Sequence, residues 1–212
     1  TSVVHSLATA FEQVYSEKVW VNGSGSGSSP ENTASYRAFL QEFLDANDIR
    51  SIVDLGCGGW QSSRLIDWRG TDYTGFDIVH SVVERNRRLY SAPGVRFEYL
   101  TDEADLPPAD LLIVKDVLQH LPNTDIHQMG ELMRRYAYVL VTNTVSAELR
   151  KPDGSPVYTQ QVNSDVSPGA MRPVDILAEP FNWDGREVHR YESFRKGLGA
   201  WESKSTVLLT RV

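Results

Sequence analysis

Two carboxylates and a pair of glycines carry the spacing that points most directly to chemistry. Ser51-Ile-Val-Asp54-Leu-Gly56-Cys57-Gly58-Gly-Trp60 is an apolar run that ends in an acid and breaks into closely spaced glycines. Gly56 and Gly58 let the main chain turn without a Cβ, so that a ligand can approach the backbone and a helix can begin beneath it. About twenty residues further on, Tyr73-Thr-Gly-Phe-Asp77 ends in a second carboxylate, of the kind that accepts two hydrogen bonds from ribose hydroxyls. The spacing therefore predicts a nucleoside site. A dinucleotide fingerprint needs a further glycine where Gln61 stands, and the chain has no Gly-x-x-x-x-Gly-Lys-Ser/Thr phosphate loop.

The elements that must position these residues alternate. Strands are expected over 51–55, 72–77, 95–100, 110–116 and 137–143, and helices over 60–68, 79–90 and 123–135. That rhythm predicts a parallel sheet covered on both faces. Arg186–Tyr191 and Ser205–Thr210 read as two further strands forming an antiparallel finish. Ahead of the first strand, Val4, Leu7, Phe11 and Val14 recur at helical spacing, which predicts an amphipathic helix over 3–18. After a Gly-Ser segment from Asn22, Ser29-Pro30-Glu31 has the form of a helix start, with Ser29 as cap and Pro30 in the first turn. The stretch 145–172 is rich in Pro, Gly, Ser and Asp and lacks periodicity. It is long for an ordinary connection and is expected to overhang the cleft.

A chain of 212 residues with 41% hydrophobic residues can bury one good core, so a single domain is expected. Its parts are N-terminal helices with a Gly/Ser lid over 1–46, a cofactor-binding core over 47–144, an acceptor-side loop over 145–172 and C-terminal strands over 173–212. The formal net charge of −7 argues against a general nucleic-acid surface. Arg85, Arg87 and Arg88 read as a solvated helix face. The single cysteine, Cys57, excludes an internal disulfide framework and is compatible with a reducing compartment. No apolar run approaches 18 residues and no signal-like start is present, so the expectation is a soluble cytoplasmic protein with no membrane partner, unless a leader was removed before Thr1. The oligomeric state is left open.

Asp54-x-Gly56-x-Gly58 followed by Asp77 resembles the first two motifs of the class I S-adenosylmethionine-dependent methyltransferases, over roughly residues 20–212. The resemblance implies a Rossmann-like α/β fold with a mostly parallel seven-stranded sheet, helices on both faces and an N-terminal helical extension. It implies S-adenosylmethionine as cofactor and S-adenosylhomocysteine as its product. Asp54, Gly56, Cys57 and Gly58 then belong to the first motif and Asp77 to the ribose acid. Ile78 would lie against adenine, and Asp102 would meet the adenine amine. GSGSGS, KDVLQHLP and a later Met-Arg-Pro-Val-Asp-Ile resemble a bacterial group whose acceptors are mostly unassigned. In that group an Asp usually follows Gly-Cys-Gly, and Gly59 departs from this. Gly130, placed mid-helix at a cost of roughly 1 kcal/mol relative to Ala, is a second departure.

Methyl transfer from a sulfonium is an in-line displacement that needs an aligned, desolvated nucleophile, and an alcohol or protonated amine must also lose a proton. His120, four residues past Asp116, is the candidate base because histidine titrates near neutrality. Its alternative role is to cap a helix or bond a carbonyl. Asp116 is the alternate base or an acceptor-positioning carboxylate. Asn143 would orient the acceptor or satisfy loop backbone. Arg172 would pair with an acidic acceptor group, or with Asp175 or Glu179. Tyr158 would line the acceptor pocket or anchor the loop. Ser24 to Ser28 would form an anion nest or a plain linker, with Trp20 and Tyr36 flanking the cofactor in the first case. Lys115 would bond the methionine carboxylate or form an ordinary salt bridge. Cys57 reads as a small turn residue rather than a nucleophile. No metal site is expected, since the five histidines are scattered. These readings favour methyl transfer to oxygen or nitrogen of a small polar metabolite. A peptide or protein methyltransferase and a non-catalytic cofactor-binding protein are the alternatives.

Overall fold

A computed structural model of the chain describes residues 26–102 and 106–210. The helix expected over 3–18, Trp20 and Ser24 lie outside the described residues. Five parallel strands form the centre of the sheet: β1 (Ser51–Leu55), β2 (Asp72–Asp77), β3 (Val95–Tyr99), β4 (Leu111–Lys115) and β5 (Tyr138–Thr144). Two short strands follow, β6 (Glu148–Arg150) and β7 (Pro156–Thr159), and then a long antiparallel pair, β8 (Arg186–Arg195) and β9 (Ala200–Thr210). The order is β3-β2-β1-β4-β5-β9-β6-β7, with β8 on the other side of β9. The sheet thus has nine strands rather than seven. The two additional strands come from 145–172, which pairs as a hairpin and meets β9 through Arg150 and Trp201, past the last β5 pair of Thr144 with Lys204.

The central strands are apolar almost throughout because both of their faces are covered. Val53 and Leu55 of β1, Leu112 and Val114 of β4, and Val139 and Val141 of β5 pack with Ile126, Met129 and Met133 of helix α3 (Asn123–Met133). Their neighbours of opposite parity, Ile52, Leu111, Ile113 and Leu140, join Tyr36, Leu40 and Leu44 of α1 (Ala34–Ala46). Helix α2 (His80–Tyr90) adds Val83 to the second cluster.

Two helical expectations are corrected. Residues 60–68 form only a short 3-10 turn, Ser63–Leu65. Trp60 adopts a left-handed backbone with φ of 56°, and its buried indole is held by Tyr73, so the chain cannot enter a helix there. Ser29 and Pro30 open a turn, with the Asn32 amide 3.4 Å from the Ser29 hydroxyl, and the helix itself begins after Thr33. The mid-helix Gly130 has a packing reason: a Cβ at that position would stand 2.7 Å from the Trp183 ring. No helix among the described residues is long and apolar enough to cross a membrane.

Candidate active site

The strand order reverses between β1 and β4, and the crevice outside the carboxyl ends of such strands is where open α/β sheets bind ligands. Gly56 and Gly58 leave β1 there in left-handed conformations, with φ of 76° and 55°. The approach is close, since a Cβ on Gly56 would fall 2.5 Å from Val117 Cγ2 in the loop after β4. Asp77 at the end of β2 fixes this turn. Its Oδ2 accepts the Gly58 amide at 2.9 Å and its Oδ1 accepts the Val79 amide at 3.0 Å. Burial raises its pKa against those two bonds. The Ile78 amide also bears on it, and a carboxylate has about four lone-pair sites, so acceptor capacity remains for a ribose hydroxyl.

Asp54 is the second buried acid. Trp60 Nε1 donates to the Tyr73 hydroxyl at 2.9 Å, and that hydroxyl donates to Asp54 Oδ2 at 2.5 Å. Burial raises the Asp54 carboxyl to about 6 despite the Tyr73 hydrogen bond. Asp54, Gly56, Cys57 and Gly58 form one wall of a cleft, and Ser28, Tyr36 and Lys115 form the other, enclosing about 60 Å³. Cys57 is a turn residue as expected: its thiol is pushed well above its ordinary range by burial. Ile78 is half-buried against the α3-side core, and Asp102 follows the end of β3, where the Leu100 amide bonds the Asp77 carbonyl.

The loop after β4 is built from charges. Asp116 has a left-handed backbone, φ 59°, a conformation a non-glycine residue keeps only when its surroundings hold it. Lys115 Nζ meets its Oδ2 and Lys204 Nζ its Oδ1, both at 2.5 Å. Burial alone would raise the Asp116 pKa, but the two lysines hold it well below the usual carboxylate range. Lys204 lies on β9, 1% exposed. Burial would depress it, yet Asp116 and Glu202 leave its pKa raised. Lys115 also reaches the Gly27 carbonyl at 3.4 Å, so the Gly-Ser segment sits directly over this loop. His120 ends the 3-10 turn Leu118–His120, and its carbonyl accepts the Gly169 amide at 2.9 Å. Burial lowers its pKa to about 4, against the pull of Asp116 and the backbone of Ala170.

The remaining expectations divide. Arg172 does not pair with Asp175 or Glu179. It is 1% exposed and donates to the Ser164 and Leu118 carbonyls and to Asn123 Oδ1, pinning the long connection to the loop after β4. Tyr158 stands on β7 with its hydroxyl 3.3 Å from Arg195 Nη1, which ties the hairpin to β8. Asn143 is buried on β5, and its Oδ1 has no hydrogen-bond partner among the described residues. Sequence reasoning missed Lys204, Glu202, Tyr191 and Tyr73. Lys204 stood just outside the expected strand, and only a lysine and a glutamate interrupting the approach to an apolar run hinted that those charges point inward.

No family model matches the chain, and no curated protein matches it. Solved structures do. An S-adenosylmethionine-dependent methyltransferase from Anabaena variabilis aligns over 96% of this chain and 94% of its own, with a TM-score of 0.64 and 12% identity. Coclaurine N-methyltransferase, bound to N-methylheliamine and S-adenosylhomocysteine, aligns over 98% and 83%, with a TM-score of 0.63 and 13% identity. The N-methyltransferase NodS from Bradyrhizobium japonicum, in complex with S-adenosylhomocysteine, aligns over 94% and 97%, with a TM-score of 0.60 and 13% identity. The chain therefore has the α/β Rossmann-like fold of the class I methyltransferases.

Proposed function

We propose that the protein is an S-adenosylmethionine-dependent methyltransferase acting on an oxygen or nitrogen of a small polar metabolite. The observation that carries this reading is the glycine turn after β1, held by the Asp77 carboxylate at the point where the strand order reverses. On this reading Asp77, Ile78 and Asp102 hold the adenosine part. Asp54, Gly56, Cys57, Gly58 and Lys115 border the methionine part. When bound, the cofactor supplies a methyl group already activated on a sulfonium sulfur. The Gly27 carbonyl lies 3.4 Å from Lys115 Nζ, and Ser28 borders the same cleft, so on this reading the Gly-Ser segment lies beside the bound cofactor.

His120 stays the proposed proton acceptor by its place in the loop after β4, although burial moves its pKa to about 4, away from the neutrality that makes histidine a ready base. Asp116, neutralised by two lysines, is the positioning carboxylate rather than the base. Asn143 remains a candidate acceptor contact. The packing of 145–172 as a hairpin pinned by Arg172 and Gly169 favours a closed small-molecule pocket over an open peptide groove. A single cysteine suits a reducing, cytoplasmic setting.

The test is calorimetric titration with S-adenosylmethionine, S-adenosylhomocysteine and NAD. Micromolar binding of the first two and none of NAD is expected. Failure to bind either, in the natural chain and in Gly59→Asp alike, removes the cofactor assignment.

A further inference from the structure

Val82, Val83 and Asn86 form the buried face of α2, continuing from Val79 at its start, so an asparagine occupies a position that the helical pattern gives to an aliphatic residue. Asn86 is fully buried. Asparagine is a weaker helix former than leucine, and its amide is costly to bury unless it is bonded, so packing of the helix does not by itself account for it. Its Nδ2 donates to the Gly58 carbonyl at 2.7 Å and lies 3.9 Å from Cys57 Sγ. Its Oδ1 has no hydrogen-bond partner among the described residues. Arg85, one residue earlier on α2, brings Nη1 to 3.5 Å from the Gly59 carbonyl.

Gly58 is thereby gripped from both sides. Its N–H belongs to the Cys57–Gly58 peptide plane, which Asp77 Oδ2 holds at 2.9 Å, and its carbonyl belongs to the Gly58–Gly59 plane, which Asn86 holds. The torsions at Gly58 relate these two planes, so fixing both fixes the residue in its left-handed conformation, with φ of 55°. Glycine permits that conformation without enforcing it, and the grip from outside supplies what the residue lacks. Upstream, the Gly56 and Cys57 amides both donate to the Phe76 carbonyl, at 2.9 and 3.0 Å. Strand β2 thus holds the amides of the turn as far as Gly58, and α2 holds the carbonyl that follows. Gly58 borders the cleft, so the orientation of this peptide sets the wall that a ligand meets.

We propose that Asn86 is a positioning residue for the cofactor, acting from α2 through the Gly58 carbonyl to hold the glycine turn in its binding shape. The inference rests on the methyl-transfer reading for the identity of the ligand. Two measurements are compared in the wild type, Asn86→Ala and Val83→Ala: calorimetric affinity for S-adenosylhomocysteine, and hydrogen exchange of the Gly58 amide in the ligand-free chain. Val83 is buried on the same helix face and offers packing alone. Asn86→Ala is expected to weaken S-adenosylhomocysteine about tenfold and to speed Gly58 exchange about tenfold, the scale of one net hydrogen bond, while Val83→Ala changes neither beyond about twofold. Thermal melting reports that both variants are folded. Wild-type affinity in Asn86→Ala, or equal changes in the two variants, overturns the proposal and leaves Asn86 a packing residue. Asn86→Ser, whose hydroxyl is too short to reach the carbonyl, repeats the test should the alanine variant unfold, and unfolding of both also overturns it. If the wild type binds no S-adenosylhomocysteine, the cofactor reading falls, and exchange at Gly58 alone decides whether Asn86 holds the turn.

Discussion

The two sides of the cleft are held by different physics. On the β1 and β2 side, the turn is a backbone object: left-handed glycines, the Asp77 carboxylate that accepts main-chain amides, and a hydrogen-bonded chain from Trp60 through Tyr73 to Asp54. On the β4 and β9 side it is a chain of ions, Lys115, Asp116, Lys204 and Glu202, taken from strands 88 residues apart in the case of Asp116 and Lys204. Backbone geometry is local and tolerates little variation in residue type. Ion pairs are long-range, and their energy depends on every member being present, because a buried charge without its partner costs more than the pair contributes. The first side is built to be read by its shape. The second holds distant strands together through charge, so it is read by which partners it brings into register.

Breaking the ionic side should have the largest effect. Lys204→Met leaves Glu202 buried with its nearest cation removed and Asp116 with one lysine. It should cost about 3–5 kcal/mol in urea unfolding, the usual scale for removing one member of a buried pair. A loss under about 1 kcal/mol would mean the network contributes little. On the backbone side, Gly56→Ala combines a left-handed strain of about 1–2 kcal/mol with a clash against Val117 of about 1–3 kcal/mol. Its stability should fall by about 2–5 kcal/mol, and wild-type stability would show that the turn yields easily.

Titration sharpens the contrast further. The folded chain holds a proton on Asp54 up to pH about 6, whereas the unfolded carboxyl releases it near 3.8, so this group lowers stability as pH rises through that window. His120 does the reverse. Its folded pKa of about 4 lies below the unfolded 6.5, so stability is lost as pH falls from about 6.5 toward 4. Each swing is about 3 kcal/mol, and the two nearly cancel. Denaturant titrations across pH 4–6.5 should therefore be flat in the natural chain, rise with pH in Asp54→Asn and fall with pH in His120→Gln. Identical profiles in all three would refute both assignments. The smallest effect belongs away from the cleft. Gly130→Ala gains roughly 1 kcal/mol in helix propensity but drives a Cβ into Trp183, so a net loss of about 1 kcal/mol is expected. A gain in melting temperature would show that the indole moves aside.

Most of the strands and their parallel arrangement were legible because period-two burial on both faces leaves apolar runs such as Leu111 to Val114, and chain punctuation separates them. The α2 and α3 boundaries were legible to within two residues for the same kind of reason. The helix expected over 60–68 failed at one residue: Trp60 carries no local sign that its indole is bound by Tyr73, from the next strand. The hairpin within 145–172 failed likewise, since Leu149 and Tyr158 are too few to show a period, and their pairing is completed by Trp201 in β9. For Arg172 residue type suggests a carboxylate partner, whether on an acceptor or Asp175 or Glu179, but its actual partners are two backbone carbonyls and an amide oxygen, which leave no mark in residue type.

By itself the sequence determined the alternating architecture and the turn after β1 with its two acids, because those depend on neighbours within one strand and loop, where residue type and spacing act directly. Only the tertiary structure decided that Asp116 is held between Lys115 and Lys204, and that the Tyr191 ring lies beside that of Tyr36. The reason is range. A hydrogen bond or ion pair across the sheet acts over a few ångströms in space but joins residues far apart in the chain, and no local pattern specifies which of several buried polar groups it will join.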